Sequence, residues 1–219
     1  MLLASRRTIE PELMDTLPPG RVERNLRDLD RINRWLGGHR TIRKLVGEVA
    51  RPDEQISLLD VGAASGDMGR AVCSRFRRAW VVSLDHRLEH VAGAPRPAIA
   101  ADAFRLPFRD SSFDIVMCSL FLHHFQDAEI TSLLADFRRL ARRAVVVIDL
   151  ERHPVAWRFL PATRFLAGWD RVTVHDGRIS VAASFRPEEL AKLASEAGFS
   201  RVRVRRHRPW FRVSLVALV

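Results

Sequence analysis

The sequence predicts an α/β fold built on a mainly parallel sheet, and three observations predict it. From residue 56 onward, short apolar runs alternate with segments of helical periodicity, the pattern of βαβ units. The first run, ISLLDV, enters a glycine-bearing turn, GAASGDMG, and then a helix, the local design with which a strand presents a ligand to a helix start. Acidic residues recur where the strands end, at Asp60, Asp85 and Asp102. Ligands bind at that carboxyl edge in open α/β sheets.

The 219 residues are 47% hydrophobic and 28% charged, a balance that excludes a disordered or fibrous chain. No apolar run approaches the ~18 residues of a spanning helix. The opening MLLASRRTIEPELMD lacks the apolar core and cleavage site of a signal peptide. Cys73 and Cys118 both sit in apolar segments, so a disulfide framework is excluded and a cytoplasmic location is expected. The net charge of +10 is almost all arginine, since Lys44 and Lys192 are the only lysines. Such basicity suits nucleic acid, an anionic membrane surface or an acidic substrate, and equally an arginine-biased solvated surface.

Taken in order, residues 1–52 read as a helical cap. Val22, Leu26, Leu29, Ile32, Trp35 and Leu36 recur at helical spacing after the Leu17-Pro18-Pro19-Gly20 break, and Gly37-Gly38 stops that helix. A second helix carries Ile42, Leu45, Val46 and Val49 up to Pro52. Residues 53–219 form the main domain, with strands predicted at 56–61, 80–84, 97–100, 113–119 and 144–150, and helices at 68–78 and 127–142. Residues 151–186 read as an insertion over the cleft, with Trp157, Phe159, Phe165 and Trp169 among arginines. Within it, RVTVHDGRISV reads as a hairpin turning at Asp176-Gly177. Pro187 opens a helix ending at Gly198, and runs 199–205 and 210–218 close the chain as an antiparallel pair.

Glycine permits a tight turn and close backbone approach, which is why Gly62, Gly66 and Gly69 point to a cofactor cradle. A carboxylate at the end of the second strand, Asp85, can accept hydrogen bonds from ribose hydroxyls. Each signal alone also fits an ordinary strand-to-helix turn or a turn cap.

Together, LLDVGAASGDMG, VVSLDHR and ADAFRLPFRDSSFDIVMCSLFLHHF resemble the class I S-adenosylmethionine-dependent methyltransferases, small-molecule type, related to ubiquinone and menaquinone methyltransferases. The resemblance is close over about residues 55–150. It implies a Rossmann-like seven-stranded sheet, mostly parallel with a final antiparallel strand, and helices on both faces. It implies S-adenosylmethionine as cofactor. Gly62, Ala64 and Gly66 would line its methionine part, with Asp60 orienting that loop. Asp85 would hold the ribose with His86 at the pocket edge, Asp102 and Ala103 the adenine, and Ser119 and Leu120 would pass near the sulfonium. Ala64 departs from the family's usual middle glycine. An NAD reading of the same loop accounts for Asp85 but not for Asp102 or the run from Asp102 to Asp114.

His123 and His124 follow the fourth strand directly and are the candidates for a general base or acceptor contact, with His123 preferred. The alternative is one structural ring and one ring bonded to a backbone carbonyl. Met14, Trp35, His39, His153, Trp157 and Trp169 are expected to contact the acceptor from the covering segments. No metal-ligand spacing is present, so no metal is expected. The N-terminal run PELMDTLPPGRVERNLRDLDRINRWLGG also resembles methyltransferases of bacterial polyketide pathways, placing the chain in secondary metabolism.

The expected reaction is O- or C-methylation of a small aromatic or apolar molecule. RNA methylation is the competing class, resting on RVRVRRHRPWFR at 201–212, which equally fits a half-buried strand with a solvated arginine face. Loose contact with an anionic membrane ranks next, and a catalytically silent cofactor-fold protein after that.

Overall fold

The structure is a computed structural model that describes residues 6–17 and 19–219. Residues 1–5 of the predicted cap and Pro18 of the predicted break lie outside the described residues. A turn of 3-10 helix at Leu13–Thr16 precedes α1 (Pro19–Trp35) and α2 (Gly38–Val46). Then come β1 (Ile56–Val61), α3 (Asp67–Cys73), β2 (Ala79–Asp85), α4 (Leu88–Val91), β3 (Ala98–Ala100) and β4 (Phe113–Ser119). A short 3-10 turn at Leu122–His124 leads into α5 (Asp127–Leu140) and β5 (Ala141–Leu150). The chain ends with α6 (Pro154–Ala167), α7 (Arg171–Ala183), α8 (Pro187–Glu196), β6 (Arg201–His207) and β7 (Arg212–Leu218).

The seven strands lie in the order β3-β2-β1-β4-β5-β7-β6. The β3-β2-β1-β4-β5 pairings are parallel, while β7 runs antiparallel to both neighbours, with Asp149 opposite Val213 and Arg206 opposite Val213 on the other side. The order reverses between β1 and β4, so a crevice opens at their carboxyl ends. Continuous apolar runs such as Val145–Ile148 are what strands covered on both faces require. One face packs Ile42, Leu45, Val46, Met68 and Phe76 from α2, α3 and the turn after it. The other packs Leu133, Leu134 and Phe137 of α5 with Leu190 and Leu193 of α8.

The segment after β5 differs from its expectation. RVTVHDGRISV is not a hairpin but the helix α7. Its alternation competes with a second pattern: Val172, Thr173, Asp176, Ser180 and Val181 are all buried and fall on one helical face. Asp170 caps the helix by accepting from Val172 N at 2.9 Å. Gly177, which read as a turn residue, instead lets α6 come close, because a Cβ there would lie 2.3 Å from Leu160 Cδ1. The aromatic stretch before it is also helical, α6, with Pro161 inside. The two helices pack on each other, and α7 also meets α1 and the Leu13–Thr16 turn.

Candidate active site

A cavity of about 680 Å³ opens at the carboxyl ends of β1, β2, β4 and β5. Its lower wall is the loop after β1, where three residues take left-handed backbone: Gly62 (φ 67°), Ala64 (φ 46°) and Gly66 (φ 72°). At Gly62 glycine is required, since a Cβ would sit 2.3 Å from the Phe121 ring. Ala64 holds the same handedness with a side chain, at a cost of about 1–2 kcal/mol. Its N–H donates to Asp85 Oδ2 at 3.0 Å, so the loop and the end of β2 form one unit.

Asp85 is buried and faces the cavity. Its Oδ1 accepts from Arg87 N at 3.1 Å and lies 3.2 Å from His90 Nδ1 and 3.4 Å from His86 Nδ1. Burial alone would raise this carboxyl's pKa. The hydrogen bonds from His90 and Arg87 outweigh it and hold it below the usual value. Asp60, one layer deeper, behaves oppositely: burial, then the charge of Asp67, push it well above the carboxylate range. Asp102 lies exposed at the rim, its Oδ1 accepting from Phe104 N at 2.9 Å, with Ala103 buried beside it. Leu120 takes left-handed backbone (φ 52°) as the chain leaves β4, and Ser119 Oγ is buried without a hydrogen-bond partner among the described residues. His90 Nε2 is likewise buried without one. All of these line the cavity, whereas Gly66 stands behind it against Ala94 and Pro95.

The opposite end of the floor is a cluster of acid and imidazole. The turn after β4 sets His123 with Nδ1 2.7 Å from Asp149 Oδ1 and Nε2 3.6 Å from Glu12 Oε1. Asp149 comes from β5 and is fully buried. Glu12 arrives from the N-terminal strap, which Asp176 fixes by accepting from Leu13 N and Met14 N at 2.9 and 3.0 Å. The Ser180 hydroxyl donates to Glu12 Oε1. Burial opposes charge on His123, but the two flanking carboxylates prevail and raise its pKa to about 10. Glu12 is correspondingly pulled down to about 2, its own burial being outweighed by His123, His124 and Ser180. His124 stacks on His123 at 4.3 Å and reaches the cavity half-buried.

Among the described residues, two side-chain groups bring ligand-type atoms within 4.8 Å of one another: Glu12 with His123 and His124, and Asp30 with His39 and Asp67. In the first, charged His123 already balances the carboxylates around it. In the second, Asn33 Nδ2 and His39 Nε2 both occupy Asp67 Oδ2, at 2.9 and 2.8 Å.

The expected acceptor contacts divide. Met14 lines the cavity, but Trp35, His39, His153, Trp157 and Trp169 do not. Trp35 is half in solvent, and Arg31 sits over it and over Trp169, at 4.7 and 4.6 Å. His153 caps α6 through Val155 N and stacks on Phe211 at 4.4 Å. Trp157 lies under Arg178 at 3.9 Å. The apolar wall is made instead by Leu26, Leu29 and Ile32 of α1, Phe159 and Leu160 of α6, and Trp210. Glu12 and His90, which line the cavity, and Asp149, buried behind His123, are residues that sequence reading missed. Asp149 closes VVVIDL as Asp60 closes its own strand, and that signal was legible.

Fold and floor together define an α/β protein that takes a nucleotide-type cofactor at the carboxyl edge of its sheet. Residues 59–148 match the family model described as a methyltransferase domain. A demethylmenaquinone methyltransferase of Roseiflexus sp. (strain RS-1) is 29% identical over 189 residues, covering 78% of this chain and 79% of that protein. A SAM-dependent methyltransferase from Aquifex aeolicus superposes with a TM-score of 0.65 at 15% identity, over 93% of this chain and 99% of that one. Human N-acetylserotonin methyltransferase, solved with SAM, gives 0.65 at 16% identity, over 92% of this chain but 56% of that one. The chain thus carries a methyltransferase domain over residues 59–148, in the fold of S-adenosylmethionine-dependent methyltransferases, and S-adenosylmethionine is the cofactor these similarities support. The site fits that group on its own geometry: a glycine turn whose backbone lines the cavity at Gly62, a fixed carboxylate at Asp85, and buried Ser119 Oγ lacking a partner among the described residues.

Proposed function

We propose that the protein methylates a small aromatic or apolar molecule at oxygen or carbon. The observation that carries this reading is the composition of the cavity above the cofactor loop, where largely apolar walls from α1 and α6 meet a polar corner of Glu12, His123 and His124. The demethylmenaquinone methyltransferase match supports an acceptor of this class.

Bound S-adenosylmethionine supplies an activated methyl group on a sulfonium, transferred by in-line displacement. The chain's part is to bind, align and dehydrate. Gly62, Ala64 and Gly66 shape the loop for the amino-acid end, and buried Asp60 braces it. Asp85, with His86 beside it, holds the ribose, and Asp102 and Ala103 hold the adenine edge. Ser119 and Leu120 border the reacting centre. Residues 6–52 and 151–186 act as the cover that keeps water out, with Met14 against the acceptor.

His124 takes the proton the acceptor loses as its new bond to carbon forms. His123 is unsuited to that task, because a ring already charged at neutral pH has no lone pair to offer. It positions His124 by stacking and is itself held by Asp149 and Glu12.

The reading is tested by incubating the protein with S-adenosylmethionine and a panel of phenols, hydroquinones and naphthoquinols, following the methylated product. Turnover of none of them, with cofactor binding intact, refutes it. RNA methylation has less support: Arg203 and Arg205 pair with Glu48, and Arg206 and Arg208 with Glu151, so the arginines of the closing strands already face carboxylates.

A further inference from the structure

Helix α6 is apolar on the side where a surface helix should be polar. Its inner face, Ala156, Phe159 and Leu160, lines the cavity. Its outer face carries Val155, Arg158, Ala162, Phe165 and Leu166, spaced to share one side. Phe165 is 89% exposed and Leu166 91% exposed. The helix contains no acidic residue, and Arg158 and Arg164 lie along it, with exposed Arg171 following at the start of α7. Trp35, itself 54% exposed, stands beside the end of the helix through its contact with Trp169.

Adjacent large apolar side chains flanked by arginines, without a carboxylate, are the make-up of a helix that lies in a membrane interface. A protein partner would be expected to meet such a face with acidic side chains, and an anionic headgroup layer offers the same complementarity as a continuous plane. The net charge of +10 adds long-range attraction to that plane.

We propose that α6 docks the protein on the surface of an anionic lipid bilayer, Phe165 and Leu166 entering the acyl boundary while Arg158, Arg164 and Arg171 meet the headgroups. Because the opposite face of the same helix walls the cavity, docking would hold the acceptor chamber one helix away from the bilayer. An apolar acceptor would then have only a short path from lipid to cavity. That second step rests on the acceptor class proposed above, whereas the docking itself does not.

The test is flotation of the full chain with vesicles of phosphatidylcholine alone, or with roughly three parts in ten phosphatidylglycerol. The expected result is binding to the anionic vesicles alone, weakening as salt rises from about 0.05 to 0.5 M. The double variant Phe165→Ser/Leu166→Ser should lose binding by about tenfold or more while keeping its melting temperature and cofactor affinity. Arg158→Gln/Arg164→Gln should flatten the salt dependence. Equal partition to neutral vesicles, or a serine variant that binds like wild type, overturns the proposal. So does a wild-type dimer that the serine variant converts to monomer, since the face would then be a contact between copies. Activity on a water-soluble hydroquinone, unchanged by the serine pair, separates the two ideas: wild-type protein that turns the hydroquinone over but does not float sinks docking alone, and wild-type protein that floats without activity sinks the acceptor reading alone.

Discussion

His123 Nδ1 lies 2.7 Å from Asp149 Oδ1 while its other nitrogen faces Glu12, so one buried imidazole bridges two carboxylates from distant parts of the chain. The bridge joins the end of β5, the turn after β4 and the N-terminal strap, and it makes the polar floor of the cavity a fixed charge arrangement. Its strength depends on pH in a direction set by the two shifts. His123 is raised from 6.5 to about 10, so its stabilisation is complete below pH 6.5 and is lost as the pH rises through 10. Glu12 is lowered from 4.5 to about 2, so its stabilisation is complete above pH 4.5 and is lost as the pH falls through 2. Urea midpoints should therefore be flat with respect to these groups between pH 4.5 and 6.5 and decline on either side. In His123→Asn the decline above pH 6.5 should become shallower. A wild-type profile that rises from pH 7 to 9 would refute the charged assignment.

The division of labour between the two histidines is open to kinetics. His124→Ala should lower kcat by about 10²-fold or more with little change in cofactor affinity, because a proton acceptor contributes in the transition state. Glu12→Gln should lower it less, since it acts only through His123. His123→Ala leaves Glu12 and Asp149 unpaired in a buried site and should cost about 3–5 kcal/mol of stability. Its effect on rate must accordingly be judged at a temperature where it remains folded. Full activity in His124→Ala would remove the base from the mechanism.

Asp85 offers the cleanest test of the cofactor cradle. The carboxylate holds Ala64 N and Arg87 N and is flanked by His90, so it is fixed before any ligand arrives. Asp85→Asn should weaken S-adenosylhomocysteine binding by roughly 10- to 100-fold in calorimetry, the value of charge-assisted hydrogen bonds. His90→Phe should weaken it less, by freeing the carboxylate to rotate. Unchanged affinity in Asp85→Asn would place the ribose elsewhere.

What the sequence made legible was whatever depends on neighbours in the chain. Strand ends, the glycine turn and the acid after each strand are local, and each is encoded within a few residues, as in LLDVGAASGDMG. The helix α7 misread because Asp176-Gly177 between β-branched residues also matches a hairpin, and only the close approach of Leu160 from α6 shows why glycine stands there. Glu12 could not be foreseen, because its role depends on Asp176 tying a strap more than a hundred and sixty residues away in sequence. The tryptophans expected to face the acceptor lie outside the cavity lining for a related reason. Tryptophan marks burial or stacking from sequence, but which helix face turns inward is decided by packing, and α6 turned Phe159 inward and Phe165 outward.

The cofactor loop finally predicts two substitutions of opposite sign at positions two residues apart. Both residues have left-handed backbone, and at Gly62 an added Cβ would meet the Phe121 ring. Gly62→Ala adds backbone strain of about 1–2 kcal/mol and drives a methyl into Phe121, whose ring borders the cavity. Its melting temperature should fall by several degrees and cofactor binding should be lost with it. Ala64→Gly removes a comparable strain and gives back part of the gain as glycine's extra freedom in the unfolded chain, about 0.5–1 kcal/mol. The balance is a gain of about half a kcal/mol, which for a chain of this size is a rise of roughly 1–2 °C in thermal melting. The hydrogen bond from residue 64 N to Asp85 is a backbone bond and survives the change, so cofactor affinity should hold or improve. If Ala64→Gly instead destabilises by a kcal/mol or more, the methyl is packed rather than strained, and the left-handed turn at that position is maintained by its contacts.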